Sequence, residues 1–169
     1  MDKLLYVPNP LLRQKADKIQ SVGIKEKEIA KKMMQIMIKV PGVGLAANQI
    51  GILKQIVTIF FVDQETKKKT QYTLFNPNII FYSQEKIVME EGCLSLPKQF
   101  AEIERPQNIV VEYLDENNKL IKKEVSGLES RILQHEIDHL SGKLFVDYLS
   151  SLKRNIMLKK VQKFLKNKK

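Results

Sequence analysis

The chain is poor in cysteine, since Cys93 is the only one among 169 residues. A lone cysteine excludes an intramolecular disulfide and favours a reducing compartment. Glycine and proline are also scarce, with seven and six residues, which excludes a collagen-like or linker-like chain. The length suffices to bury a core by apolar packing alone, and we expect a single domain over residues 1–169.

Long apolar runs are absent as well. The longest, Ile56–Val62, is far too short to cross a membrane. The first five residues, MDKLL, lack the basic region and the long apolar region of a signal peptide. We therefore expect neither a membrane span nor a secretory leader.

Acidic residues are fewer than basic ones, 19 against 29, so that the formal net charge is +10. No acidic residue follows Asp147, and the segment beyond it is rich in lysine. This excess favours anionic partners such as nucleic acid or the ribosome, but a solvated basic surface is the more ordinary explanation. The charge therefore predicts no specific nucleic-acid site.

Three helices are predicted from the spacing of apolar residues. Residues 25–39 carry them at three- and four-residue steps, with a methionine cluster suited to an irregular core. A central helix begins near Ser126, where Ser126 and Glu129 match a capping box, and ends before Gly142. A basic helix is predicted over about 151–166.

Short strands are predicted where β-branched and aromatic residues cluster between turn residues. The predicted ranges are 55–62, 71–75, 79–82, 87–89, 108–114, 120–125 and 144–148, with a turn at 76–78. Strands joined by short polar turns pair antiparallel. We therefore predict an α+β fold in which mainly antiparallel β-sheets pack around the central helix.

The sharpest motif, HEIDH, lies on the central helix. His135 and His139 are four residues apart, so both imidazoles point at one spot, and Glu136 lies beside them. In this HExxH arrangement the histidines bind a metal and the glutamate moves protons. Two hydrogen-bonded histidines on an apolar face are the alternative, but the only two histidines of the chain both fall in this motif.

A catalytic metal needs a third protein ligand and an open position for water. Phe145 stands where metzincin proteases have a third histidine, and the only carboxylate further downstream is Asp147, on a predicted strand. The third ligand should therefore come from upstream. Cys93, preceded by the flexible Gly92, is the best candidate because a thiolate suits a transition metal. The commoner fate of a lone cysteine is a buried core position.

A third segment, GVGLAANQ at 42–49, contains small residues that permit close approach of a substrate or of another backbone. Gln49 at its end is a neutral hydrogen-bond donor. Taken alone, the segment is equally consistent with a tightly packed entry to a helix.

Together, GVGLAANQ, EGCLS and HEIDH resemble the three signature motifs of peptide deformylases in order and spacing. The resemblance extends to the PNPLLR opening and to GKLF after the central helix. It implies a metal-dependent hydrolase that removes the formyl group from formyl-methionyl nascent polypeptides and releases formate. A cytoplasmic location is expected, and bacterial, organellar and phage-borne origins are all compatible.

The resemblance also implies the roles at the centre. It implies three metal ligands, namely Cys93, His135 and His139. The family pattern points to Fe²⁺, with Zn²⁺, Ni²⁺ or Co²⁺ as substitutes. Metal-bound water would attack the formyl carbon with Glu136 as general acid and base, while Gln49 and the Leu94 backbone N–H stabilise the oxyanion.

The implied methionine pocket has apolar walls and a glycine that offers backbone contacts. Its residues are Val43, Gly44, Met89, Leu128 and Ile132. Two residues depart from the family pattern. Phe100 stands where many relatives carry arginine, and Arg131 stands where many carry an apolar residue and either turns outward or narrows the pocket. Asp138 is expected to pair with Arg105.

Two rival functions remain open. One is a metallopeptidase that cuts internal peptide bonds, which the missing third histidine disfavours. The other is a basic ribosome- or RNA-binding module without catalysis, which the complete set of motif residues disfavours. The basic C-terminal helix is expected either to contact the ribosome or to be a solvated tail.

Overall fold

The computed structural model describes residues 4–167 and has the predicted α+β class. Its helices are α1 (Ile24–Lys39), α2 (Gly127–Leu140) and α3 (Ser151–Lys166). Its strands are β1 (Gly44–Ala46), β2 (Ile56–Val62), β3 (Lys69–Tyr82), β4 (Lys86–Cys93), β5 (Leu96–Pro106), β6 (Asn108–Leu114) and β7 (Leu120–Ser126). Within the described range, no helix is long and apolar enough to cross a membrane.

Two antiparallel sheets surround α2. One has five strands in the order β1-β2-β3-β6-β7, and the other is the β4-β5 hairpin. Ile132 and Leu133 of α2 pack against Val57, Leu74 and Val111 of the larger sheet. The central helix is therefore enclosed by protein, which allows its polar residues to form a buried site.

The outer helices complete the core. Met33 and Met37 of α1 are fully buried among residues such as Ile56 and Phe75, as predicted for the methionine cluster. Val161 of α3 is fully buried in the cluster that covers β5. The lysines of α3 face solvent, so this helix presents a basic outer surface.

The predicted strand at 144–148 is wrong, since Phe145–Tyr148 forms a 3-10 helix. The Asp147 carboxylate accepts a hydrogen bond from the Leu144 N–H at 2.9 Å and is held by Arg13 at 2.5 Å. The ion pair with Arg13, which is distant in sequence, holds Asp147 in place, and the bond to Leu144 closes the chain into a helical turn. A short apolar run does not reveal it.

The predicted turn at 76–78 is also wrong, because β3 continues through it as a bulge between Phe75 and Asn78. Asn76 has a φ of 50°. Its side-chain amide accepts a hydrogen bond from the Ile19 N–H and donates one to the Ile19 carbonyl. The asparagine thus tolerates a left-handed backbone without ending the strand.

The predicted capping box does not form. Ser126 is the N-cap of α2 but makes no side-chain cap bond. Glu129 turns away and accepts bonds from the Tyr72 hydroxyl at 2.6 Å and from Lys123 at 2.5 Å. Tertiary partners on the larger sheet therefore outcompete the local cap.

Candidate metal centre and its cavity

The predicted metal ligands converge where the tip of the β4-β5 hairpin meets α2. Cys93, His135 and His139 each offer a donor atom, and these atoms lie within 4.8 Å of one another. The Cys93 Sγ is 3.3 Å from the His139 Nε2. Sulfur and nitrogen ligands of one tetrahedral ion lie about 3.5 Å apart. This donor set therefore fits a transition-metal ion, and its thiolate disfavours Mg²⁺ and Ca²⁺.

Local chain geometry brings the thiol to this place. Cys93 ends β4, and the two-residue turn of Leu94 and Ser95 leads directly into β5. The pairing register shifts between Gly92 and Cys93, so the strand bends just before the cysteine. The histidines lie one turn apart on α2, with ring centroids 5.0 Å apart.

Glu91 lies behind His135 and was missed by the sequence analysis. Its Oε2 accepts a hydrogen bond from the His135 Nδ1 at 2.9 Å. A carboxylate in this position orients a ligand imidazole and leaves Nε2 for the ion. Glu91 belongs to the EGCLS segment, but it lies beyond the predicted strand at 87–89, and the register shift after Gly92 breaks the regular alternation that would have placed it.

The Glu91 carboxylate is buried and is shared by two arginines. Arg105 binds it in a bidentate manner at 2.6 and 3.0 Å, and Arg131 reaches Oε1 at 2.7 Å. Burial alone would raise the pKa of Glu91, but the hydrogen bonds from His135 and Arg105 hold the pKa well below its usual range. Glu91 therefore remains a charged acceptor behind the site.

Two other sequence predictions are decided in the same cluster. Arg105 donates to the Asp138 Oδ2 at 2.8 Å, which confirms the predicted pair, and also to the Tyr148 hydroxyl at 3.0 Å. Arg131 is only 5% exposed, so it neither turns outward nor lines the cavity.

Glu136 lies at the floor of the cavity beside the candidate ligands. It is buried, and its Oε2 has no hydrogen-bond partner among residues 4–167. Burial raises its pKa to about 7. An unengaged carboxylate that titrates near neutrality suits proton transfer.

Gln49 is held in one orientation. The Ala46 N–H donates to its Oε1 at 2.9 Å, and because a backbone N–H can only donate, the amide NH₂ must face the other way. That NH₂ lies 3.6 Å from the Cys93 Sγ and 3.2 Å from the Ser95 Oγ. The donor is thus aimed at the centre.

A cavity of about 470 Å³ opens onto these groups. Of the implied pocket residues, Val43 and Gly44 line it, as does Leu94. Gly44 lies so close to Glu136 that an added Cβ would come within 2.5 Å of the Glu136 Oε1. The close approach expected of this glycine segment is therefore made by the Glu136 side chain.

The other implied pocket residues do not line this cavity. Ile132 is buried in the core, Leu128 is 44% exposed and Met89 is partly buried on β4. Phe100 does line it, is 59% exposed and packs its ring against Gly92. An exposed aromatic ring thus occupies the position where the family pattern suggests an arginine.

The fold and the donor set together define a hydrolase class in which a buried HExxH helix and a thiolate from a β-hairpin frame one metal centre. A model of the polypeptide deformylase family matches residues 1–155. Peptide deformylases from Rhizobium meliloti (strain 1021) and Pelagibacter ubique (strain HTCC1062) are 41% and 44% identical to the chain over 165 residues. These matches cover 98% of the chain and 94% and 95% of the relatives.

A solved structure shows the same likeness. The crystal structure of peptide deformylase from Ehrlichia chaffeensis superimposes with a TM-score of 0.93 at 35% identity, covering 98% of the chain and 97% of that protein. The chain therefore belongs to the peptide deformylase family, whose members are metalloenzymes.

Proposed function

We propose that this enzyme removes the N-terminal formyl group from formyl-methionyl nascent polypeptides and releases formate. The observation that carries the proposal is the buried Glu136 carboxylate, whose Oε2 has no hydrogen-bond partner among residues 4–167, beside the three clustered donor atoms in one cavity. The family membership supports the same reaction. The thiol must stay reduced to serve as a ligand, which favours a cytoplasmic enzyme.

Cys93, His135 and His139 would hold one ion, and we propose Fe²⁺ with Zn²⁺, Ni²⁺ or Co²⁺ as substitutes. Such an ion would polarise the formyl carbonyl and lower the pKa of a water molecule. The Glu91 hydrogen bond to the His135 Nδ1 at 2.9 Å favours binding through Nε2.

Glu136 would accept the proton of the attacking water at its unengaged Oε2 and return it to the departing amine. The Gln49 NH₂ and the Leu94 backbone N–H would donate to the formyl oxygen as it gains negative charge. The bond from the Ala46 N–H keeps the glutamine ready for this task, so no reorganisation is needed during the reaction.

The substrate would enter through the cavity, past Val43 and the Gly44 backbone. We propose that the methionine side chain then lies along the face of α2 that carries Leu128, two turns before His135, and Ile132, one turn before it. Met89 shares its strand face with Glu91, which contacts His135, and so belongs to the same side.

The proposal is tested by anaerobic purification, metal analysis and an assay of formate release from formyl-Met-Ala-Ser. We expect about one ion per chain and formate release that a chelator abolishes and Fe²⁺ restores. Casein digestion is assayed in parallel. Cleavage of casein without formate release would favour the metallopeptidase and contradict the proposal.

From the exposed ring of Phe100 we predict a preference for particular side chains at the substrate residue that follows methionine. This ring would contact an apolar side chain that follows methionine in the substrate, a contact worth about 1 kcal/mol. We expect Phe100→Ala to raise KM for formyl-Met-Leu-Phe about fivefold while KM for formyl-Met-Ser-Ser changes little. Phe81→Ala, at a similarly exposed ring outside the cavity, is the control. Equal changes for both peptides would contradict the preference.

We further propose that α3 steers the enzyme to the ribosome through its exposed lysines. The variant neutralises four of them to glutamine, namely Lys153, Lys159, Lys160 and Lys163. We expect co-sedimentation with ribosomes to weaken and to depend less steeply on salt. The control removes the same charge from α1, at Lys25, Lys27, Lys31 and Lys39. Equal losses in both variants would indicate general charge rather than α3.

A further inference from the structure

Arg131 joins three elements through one buried guanidinium. It lies on α2, one turn before His135, and is 5% exposed. It donates to the Glu91 Oε1 at 2.7 Å and to the main-chain carbonyls of Ile103 at 2.9 Å and Ile87 at 2.6 Å. Glu91 and Ile87 belong to β4, and Ile103 belongs to β5.

These bonds cross the one junction on which the candidate centre depends. The hairpin carries Cys93, whereas α2 carries His135 and His139, so the separation of thiol and imidazoles is set by how the hairpin sits on the helix. Arg131 is anchored on α2 within one turn of a ligand and holds both hairpin strands. A shift of the hairpin would have to break these bonds.

Arg131 also completes the support of His135. Glu91 uses Oε1 for Arg131 and for the Arg105 Nε, and it uses Oε2 for the Arg105 guanidinium and the His135 Nδ1. The cluster contains two arginines and two carboxylates, Glu91 and Asp138, so its charges balance. Loss of Arg131 would leave Glu91 with one guanidinium and the carbonyls of Ile103, which is buried, and Ile87 without this donor.

We propose that Arg131 is a positioning residue of the metal centre. It orients His135 through Glu91, and it fixes the hairpin that carries Cys93 against α2 through the carbonyls of Ile87 and Ile103. This inference rests on the proposed function, because it requires the three ligands to bind an ion. Arg131 would thus contribute to ion binding without contacting the ion or the substrate.

The test titrates the metal-free protein with Co²⁺ under anaerobic conditions and follows the thiolate-to-metal absorption band. We expect Arg131→Leu to raise the Co²⁺ Kd by about 10-fold, the lower end of the range for loss of a group that hydrogen-bonds a metal ligand, because Arg131 acts through Glu91. Arg131→Lys keeps the charge but not the fork of donors, and it should fall between Arg131→Leu and the wild type. At saturating Co²⁺, KM for the formyl peptide should stay near the wild-type value.

Glu129→Gln is the matched control, because it weakens contacts of the same helix to Tyr72 and Lys123 on the larger sheet. Its Co²⁺ Kd should remain within about twofold of wild type, and thermal unfolding of each metal-free variant reports stability separately. If Arg131→Leu fails to fold, Arg131→Lys decides the test alone.

A wild-type Kd in every folded Arg131 variant would overturn the inference, as would an equal loss in Glu129→Gln. If the wild-type protein itself shows no thiolate band with Co²⁺, the metal centre and the proposed function fail together. That result is distinct from a failure of Arg131 alone.

Discussion

Replacing Glu136 with glutamine is expected to lower kcat for formate release by about 10⁴-fold, the upper end of what one acid–base group contributes. Glutamine has nearly the same size but can neither accept the proton of water nor return it to the amine. The fold should persist, because the Glu136 Oε2 has no hydrogen-bond partner to lose among the described residues and the variant removes a buried charge.

The measurement pairs kcat with metal content, since the prediction requires that the ion stays bound. Wild-type metal content with the large loss in kcat would separate a failure of proton transfer from a failure of binding. Glu129→Gln, the same substitution on the same helix but away from the centre, should retain wild-type kcat. More than a tenth of wild-type kcat in Glu136→Gln would contradict the assigned role.

The sequence was most informative where function depends on local spacing. The central helix and the alignment of His135 with His139 follow from a four-residue step, which any α-helix converts into a shared face. The burial of Met33 and Met37 follows from the same periodicity. These predictions required no knowledge of distant parts of the chain.

Features that depend on tertiary contacts could not be derived in this way. The chain at 145–148 is helical because Asp147 bonds Leu144 and pairs with Arg13, more than a hundred residues away. Glu129 abandons the predicted cap for Tyr72 and Lys123. Asp147 keeps its local partner and gains a distant one, whereas Glu129 makes only the distant contacts.

Some residues of the candidate site could be predicted from the sequence and others could not. Cys93 lies near α2 because of how the hairpin packs against that helix. From the residues alone, Cys93 could therefore be proposed as the third ligand only by elimination of the downstream candidates. Strand β5 escaped prediction because Pro97 and frequent charges mask its alternation. Without β5 there was no hairpin on which to place Arg105, so its predicted pair with Asp138 came only from the family resemblance, and its contacts with Glu91 were not foreseen.

Gly44→Ala is expected to lower kcat by about a hundredfold and to cost about 1–3 kcal/mol of stability, because the buried Glu136 side chain must shift. The added methyl group would lie 2.5 Å from the Glu136 Oε1 and 2.7 Å from its Cγ, so the carboxylate must move. A displacement of about 1 Å at a catalytic group costs roughly 10²-fold in rate. Gly44 is in β1 and does not have a positive φ, so alanine adopts its backbone without strain.

A double variant shows whether the methyl group acts through Glu136. If it does, adding Gly44→Ala to Glu136→Gln should lower kcat little further, because the base is already lost and coupled sites are not additive. Gly23→Ala, at an extended residue outside the cavity, is the control and should keep wild-type kcat. If the double variant instead lost the product of the two single losses in kcat, alanine at position 44 would act by blocking the substrate. The contact with Glu136 would then not explain the need for glycine.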